Sequence, residues 1–199
     1  RGMYVMGENP LLSDPDITHV EEALANLEFL VVQDIFLSQT ATYADVVLPA
    51  AAFPEKAGTF TNSGRSVQLL RPAVPPPGDA RPDWELIGEL GQRFGLQERY
   101  TSAAHIMDEI ATVTPSYAGI SHARLGTEEL HWPVPSADHL GTPVLHTTTF
   151  TRGRGKFHPV DYIPPAELPS PEYPFVLSTG RMLYHYPTGT MTRRADALN

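Results

Sequence analysis

Residues 179–194 combine the residue types that bind polyanions. The stretch contains two glycines, four threonines, three arginines and one histidine, and it follows the short apolar run 175–177. Backbone amides next to glycine, short hydroxyl groups and guanidinium groups hydrogen-bond to phosphates and polar heterocycles. We therefore predict an anion-binding segment here, in a domain that further residues are expected to complete.

Composition narrows the function classes. The chain has 199 residues, 14 basic and 23 acidic side chains and a formal charge of -9, which argues against nucleic acid and acidic membranes as partners. With no cysteine, these residues contain no disulfide, thiolate metal site or cysteine nucleophile. No apolar run approaches the length of a membrane span, so we expect no direct membrane insertion.

The first hundred residues predict an α/β fold with an open, mostly parallel sheet and flanking helices. Strands are predicted at 3–6, 29–32 and 45–49, where the second and third are apolar without alternation, as in a sheet covered on both faces. A helix with one apolar face is predicted between the first two strands. Further helices are predicted from Asp83 to Gly95 and over 103–113.

Three segments are predicted along the chain. Residues 1–114 form the α/β portion. Residues 115–172, rich in proline, form a linker or wrap with a possible hairpin centred on Gly153-Arg154-Gly155. Residues 173–199 begin a new domain.

Polar residues follow two of the predicted strands. Gly7 and Asn9 follow the first, and Gln33 and Asp34 end the second. Open α/β sheets bind ligands at the carboxyl ends of their strands, so these residues predict one ligand-binding edge. Each group alone is also explained as a turn or a solvated cap.

The loop of residues 55–65 adds a lysine, two glycines, an asparagine and an arginine after the third strand. Lys56 would act as a point charge on a diphosphate. Neither a P-loop nor a Gly-x-Gly-x-x-Gly pattern is present. Asp83 is either a helix cap or a base-binding carboxylate.

The histidines predict no metal site, because they are scattered without metal-ligand spacing. His185 lies between two tyrosines without an adjacent acidic or serine partner. We interpret it as a hydrogen-bonded structural group or a ligand contact rather than as a proton shuttle. No catalytic residue is assigned.

Six segments in this order resemble the molybdopterin oxidoreductase family (the DMSO reductase superfamily), and particularly the formate dehydrogenase alpha subunit. Periplasmic-type nitrate reductase is a near relative, and the portion 45–64 is also similar to the large iron-sulfur subunit of complex I. The segments are 6–10, 32–36, 44–49, 55–65, 82–84 and 179–194.

The resemblance implies a bis-molybdopterin guanine dinucleotide cofactor with molybdenum or tungsten. It also implies that residues 173–199 begin a C-terminal β-barrel domain that binds the pterin and phosphate portions. Cofactor contacts are implied in the α/β portion at Gly7, Asn9, Gln33, Asp34, Lys56 and Asp83. They are implied in the final segment at Thr179, Gly180, Arg181, His185, Thr188, Gly189, Thr190 and Met191.

The cysteines that hold an N-terminal 4Fe-4S cluster in this family have no counterpart here, and neither does the cysteine or selenocysteine that binds the metal. We therefore expect a cofactor-holding fragment, inactive alone, of an enzyme that oxidises formate to carbon dioxide. The alternatives are a nitrate or other oxyanion reductase and a noncatalytic scaffold. The expected partners are the remaining domains of the parent subunit and electron-transfer subunits, in the cytoplasm or, alternatively, the periplasm.

Overall fold

The computed structural model describes residues 1–186 and 188–198. Pro187, which lies within the predicted anion-binding stretch, and Asn199 are outside these ranges. The chain divides into two compact units, Arg1–Leu145 and the residues from His146 onward.

The first unit contains the parallel sheet that the sequence predicts. Strands β1 (Gly2–Met6), β2 (Phe29–Asp34) and β3 (Val46–Pro49) pair in the order β1-β2-β3, all parallel. Helices α1 (Pro10–Ser13) and α2 (Ile17–Ala25) connect β1 to β2. The prediction of a mixed α/β fold with a parallel sheet and helices is confirmed. The core beside this sheet consists of Val5, Leu24, Leu30, Val32 and Ala41.

A second, antiparallel sheet lies in the same unit. Its strands are β4 (Gly58–Thr61), β5 (Ser66–Leu70) and β6 (Leu130–His131). The sequence predicts a loop at 55–65, whereas the structure places Gly58–Thr61 in a strand that pairs antiparallel with β5. Arg65 has a positive φ of 68° in the connecting turn.

Three helices complete the first unit. They are α3 (Asp83–Arg93), α4 (Ala103–Val113) and α5 (His122–Leu125), and short 3-10 turns span Thr40–Tyr43, Phe53–Glu55 and Pro115–Tyr117. The second core combines α4 and α5 with the antiparallel sheet and with residues 115–145. Its buried members are Val67, Met107, Ile120, Leu125, Leu130 and Val134.

Helix α3 forms where the sequence predicts a helix, and several of its apolar side chains are exposed. Its buried residue is Leu86, while Ile87 is 46% exposed and Phe94, which follows the last residue of the helix, is 82% exposed. Trp84, near the start of the helix, is half-buried.

The second unit has little regular structure among its described residues. Phe150 and Gly153 form an isolated bridge, and 3-10 turns span Thr192–Arg194 and Asp196–Leu198. At the hairpin predicted around Gly153, the structure has one turn closed by the bridge between Phe150 and Gly153.

No helix in the part of the chain that the structure describes has the length and apolar character needed to cross a membrane.

Candidate functional site

The carboxyl ends of β1 and β2 are joined directly. Gly7 adopts a positive φ of 63°, and its amide donates to the carbonyl of Gln33 at 2.9 Å. A Cβ added at Gly7 would have no atom within 4 Å, so the backbone faces open space. This edge is accessible to a ligand.

Asp34 is the last residue of β2, and its side chain stabilises the turn that follows the strand. Its Oδ1 accepts hydrogen bonds from the amides of Ile35 at 2.7 Å and Phe36 at 3.3 Å. Its Oδ2 has no hydrogen-bond partner among the described residues. One carboxylate oxygen thus forms the turn while the other can accept from a ligand hydroxyl or amine.

Asn9 joins the end of β1 to the segment after β2. Its Oδ1 accepts from the amide and the hydroxyl of Thr40 at 3.1 and 2.9 Å, and its Nδ2 donates to Gln39 at 2.8 Å. Asn9 is 6% exposed and Thr40 is fully buried. The buried side chain of Asn9 therefore links the segment after β1 to the segment after β2.

Asp83 reaches this edge because the preceding backbone pairs with the end of β3. The amide of Arg81 donates to the carbonyl of Pro49 at 3.2 Å, and the amide of Ala51 donates back to the carbonyl of Arg81 at 2.8 Å. Asp83 follows two residues later as the first residue of α3. An extended backbone bridge, rather than the parallel sheet itself, positions it.

A chain of side-chain hydrogen bonds runs across the edge through buried Gln33. Tyr4 donates its hydroxyl to Oε1 of Gln33, and Nε2 of Gln33 donates to Oδ1 of Asp83 at 2.6 Å. Oδ2 of Asp83 accepts from the ammonium of Lys56. Both oxygens of Asp83 are therefore used within the protein.

Asp83 does not act as a helix cap. The N-cap of α3 is Pro82, and no side chain caps the helix. The carboxylate instead orients Lys56, which lies 27 residues earlier in the chain. It also affects Tyr4: burial of the phenol, together with the negative charge of Asp83, raises the pKa of Tyr4, so its hydroxyl stays protonated and donates.

Lys56 directly follows the 3-10 turn Phe53–Glu55, and the side chain of Glu55 stabilises that turn. The carboxylate of Glu55 accepts from the amide of Ala52 at 2.8 Å. The ammonium of Lys56 is partly buried, with the side chain 24% exposed against 32% for Asp83. An ammonium has three N–H donors, so the ion pair leaves donors of Lys56 available to an anion.

Two cavities adjoin Lys56. One, of about 240 Å³, lies against Asp83, Trp84 and Ile106, and the other, of about 470 Å³, lies against Trp84 and Pro82. Trp84 and Lys56 line both cavities, which places an aromatic surface beside a cation. A planar base linked to a phosphate would use both, because the base stacks on an aromatic ring and the phosphate pairs with a cation.

His122 lines the smaller cavity from the start of α5. Burial lowers the pKa of His122, an effect that the charge of Asp108 opposes. Partial burial therefore favours the neutral form of the imidazole.

The predicted residues of the second unit lie in and beside a compact turn. Nδ1 of His185 is 2.9 Å from the hydroxyl of Thr192, and the amide of Arg193 donates to the carbonyl of Gly189 at 3.0 Å. Gly189 is buried with a φ of 70°. Thr179, Gly180 and Arg181 are exposed before this turn, Thr188 and Thr190 are half-buried, and Met191 is 50% exposed.

The structure thus brings the α/β candidates together at one edge. Gly7, Gln33, Lys56 and Asp83 belong to connected contacts, and Asn9 and Asp34 shape the turns beside them. Sequence reasoning missed Tyr4 and His122. A polar ring within the apolar run of β1 was the available signal for Tyr4, whereas nothing in the sequence places His122 near Lys56.

No group of histidine and acidic side chains within residues 1–186 and 188–198 has an arrangement suited to a metal ion.

The fold is that of an α/β protein with a parallel three-stranded sheet and flanking helices. Residues 1–93 match the sequence model of the molybdopterin oxidoreductase family. Over 98% of its length, the chain is 54% identical to the alpha subunit of an F420-dependent formate dehydrogenase of Methanocaldococcus jannaschii. The chain belongs to the molybdopterin oxidoreductase family.

Two further similarities bear on this assignment. The whole chain is 40% identical to the assimilatory nitrate reductase catalytic subunit of Bacillus subtilis. The structure matches 67% of the chain to acetylene hydratase from Pelobacter acetylenicus with a TM-score of 0.55 at 21% identity, which shows a shared fold. The chain spans 30% of the length of the formate dehydrogenase subunit and 29% of the nitrate reductase.

Proposed function

We propose that the chain binds part of a bis-molybdopterin guanine dinucleotide cofactor carrying molybdenum or tungsten. The observation that carries the proposal is the ion pair of Lys56 and Asp83 at the carboxyl edge of the parallel sheet. Membership of the molybdopterin oxidoreductase family supports a pterin cofactor.

The residues at the edge fit such a group. Lys56 offers a cation with unused donors, Asp34 offers an unpaired carboxylate oxygen, and the backbone at Gly7 faces open space. We assign phosphate to Lys56 and a sugar hydroxyl or guanine edge to Asp34, with close backbone approach at Gly7.

The other three candidates at the edge position those contacts. The side-chain oxygen of Asn9 accepts a hydrogen bond from Thr40, and that of Gln33 accepts one from Tyr4. The carboxylate of Asp83 accepts from Lys56. Because these atoms are partly or fully buried, the network fixes the direction of the Lys56 ammonium before a ligand arrives. Such preorganisation reduces the entropic cost of binding.

In the second unit we propose contacts to the pterin and phosphate portions at the start of a β-barrel domain. Support comes from the residue types: exposed Arg181 with neighbouring hydroxyls, and a glycine-containing turn at Gly189. The proposed contacts are Thr179, Gly180, Arg181, His185, Thr188, Gly189, Thr190 and Met191. The proposed domain order is 1–114, 115–172 and 173–199.

For the intact parent we propose oxidation of formate to carbon dioxide. When bound, the cofactor supplies a metal that accepts the electron pair. The 54% identity to a formate dehydrogenase alpha subunit supports this substrate, and the 40% identity to a nitrate reductase supports oxyanion reduction as the second candidate.

The 199 residues alone are proposed to be inactive. They contain no cysteine, so an iron-sulfur cluster and a sulfur ligand to the metal would come from elsewhere in the parent. We propose that the parent works with electron-transfer subunits in the cytoplasm. A noncatalytic scaffold would keep the fold but lose the need for the Lys56 ammonium at the edge.

The proposal is tested on a full-length subunit that contains this segment. We expect Lys56→Gln to lower the bound molybdenum or tungsten and the guanosine monophosphate released on acid hydrolysis, whereas Arg99→Gln, an exposed matched control, leaves both unchanged. Equal cofactor content in both variants would contradict the proposed site. Assays with formate and with nitrate on the unaltered subunit separate the two reactions.

A further inference from the structure

The second unit contains a cationic turn that the proposed cofactor site does not use. The turn runs from Phe150 to Gly153, whose backbones exchange hydrogen bonds of 3.0 and 2.8 Å. Gly153 has a φ of 89°, a conformation that glycine adopts without strain. The chain reverses here and then runs on through Arg154 and Lys156.

This reversal brings three cationic residues to one cavity. Arg152, Arg154 and Lys156 all line a cavity of about 1000 Å³, together with His146 and His158. No acidic residue lines it. None of the three cations forms an ion pair with a carboxylate among the residues that the structure describes.

The charge of this segment is opposite to that of the chain. Residues 146–160 contain three formal positive charges and no acidic residue, in a chain of net charge -9. Like charges held close together repel one another, and a bound anion relieves that repulsion. In the first unit, Arg81 pairs with Glu89 and Arg124 pairs with Glu128.

Two aromatic rings in contact with each other form part of the cavity lining. The rings of His146 and Phe150 lie 5.1 Å apart, and Gly155 lies so close to Phe150 that a Cβ there would come within 2.9 Å of the ring. Glycine at 155 therefore lets the backbone approach the ring of Phe150 closely. These contacts make the turn a formed structure rather than a run of charges.

We propose that this cavity binds a small polyanion of the diphosphate class. Arginine guanidinium groups bind phosphate oxygens through paired N–H donors, and two arginines with a lysine match a ligand carrying at least two phosphate groups. The site is independent of Lys56 and Asp83. We expect it to bind diphosphate more tightly than orthophosphate, because diphosphate carries more negative charge and more oxygen acceptors for the N–H donors of the three cations.

The test is calorimetric titration of the full 199-residue chain with inorganic diphosphate. We expect the double variant Arg152→Gln/Arg154→Gln to weaken binding by about tenfold or more, since each lost charge-assisted hydrogen bond is worth roughly one power of ten in affinity. The control is Arg71→Gln/Arg99→Gln, which removes the same charge from exposed positions in the first unit and should change the affinity by less than twofold.

Two further arms separate this site from the cofactor site. Lys56→Gln should leave diphosphate binding by the cationic turn intact, and orthophosphate should bind more weakly than diphosphate. The proposal is overturned if the two double variants weaken binding equally, if only Lys56→Gln abolishes binding, or if the unaltered chain binds no diphosphate. Circular dichroism of each variant checks that the fold is retained.

Discussion

The ammonium of Lys56 donates a hydrogen bond to Oδ2 of Asp83, and Oδ1 of the same carboxylate accepts one from the side-chain amide of the fully buried Gln33. The pair joins a loop that follows β3 to the first residue of α3. Its two members are 24% and 32% exposed, which leaves the ammonium reachable while its direction is fixed.

Removing Asp83 should cost more stability than removing Lys56. Asp83→Ala leaves the buried amide of Gln33 and the ammonium of Lys56 without an acceptor, which is expected to lower the free energy of unfolding by about 1–3 kcal/mol. Lys56→Met leaves the Gln33 bond in place and is expected to cost less. Urea unfolding of both single variants and the double variant measures the coupling. Costs that add without coupling would show that the two side chains act separately.

The buried carboxamide of Asn9 should stabilise the same edge. Asn9→Ala removes the acceptor of the amide and hydroxyl of fully buried Thr40, so we expect a loss of about 1–3 kcal/mol in urea unfolding. Gln39→Ala is the control, because Gln39 is exposed and water replaces its bond to Asn9. If both variants cost the same, the Asn9–Thr40 contact has no special weight.

Two glycine substitutions should move stability in opposite directions. A Cβ at Gly119 would lie 1.9 Å from the carbonyl oxygen of Ser136, so Gly119→Ala should destabilise the chain by about 3 kcal/mol or prevent folding. Gly88 lies within α3 with open space around it, and Gly88→Ala should add roughly 0.5–1 kcal/mol. Thermal unfolding compares the two. A stable Gly119→Ala variant would mean that the 119–136 contact is looser than described.

Histidine 122 should make stability depend on pH. Burial lowers the pKa of His122 in the folded chain, so the unfolded chain binds the proton more readily. The contribution is complete above the ordinary histidine pKa of about 6.5 and is lost as the pH falls below it. Urea unfolding at pH 7.5 and 5.5 should show a smaller loss of stability in His122→Gln than in the unaltered chain.

The control for that titration is His19→Gln, an exposed histidine of α2. It should show the same loss of stability at low pH as the unaltered chain. If His122→Gln loses as much stability as His19→Gln does, burial of His122 is not the source of the pH dependence.

The sequence predicted the local elements well because their signals are local. The apolar runs of β2 and β3, the helix at 83–93 and the edge residues Gln33 and Asp34 could each be identified within a few positions. The antiparallel pairing of β5 with β6 could not, since it joins residues more than 60 positions apart.

The contacts of the site were less predictable than its members. Asp83 carried two candidate roles in the sequence, and the structure assigns its oxygens to Gln33 and Lys56 instead of to the end of α3. That outcome depends on the backbone bridge between Arg81 and the end of β3, which no spacing rule reveals. The predicted role of Asp83 in cofactor binding stays a prediction.

The most direct test of the central claim is titration of the 199-residue chain with guanosine diphosphate, with Arg152→Gln/Arg154→Gln present in every sample so that the cationic turn does not contribute to binding. The claim is that the ammonium of Lys56, directed by Asp83, binds a phosphate of a guanine nucleotide. Lys56→Gln should weaken binding about tenfold relative to Arg99→Gln, which removes one charge at an exposed position. Equal affinities of Lys56→Gln and Arg99→Gln for the nucleotide would contradict the claim.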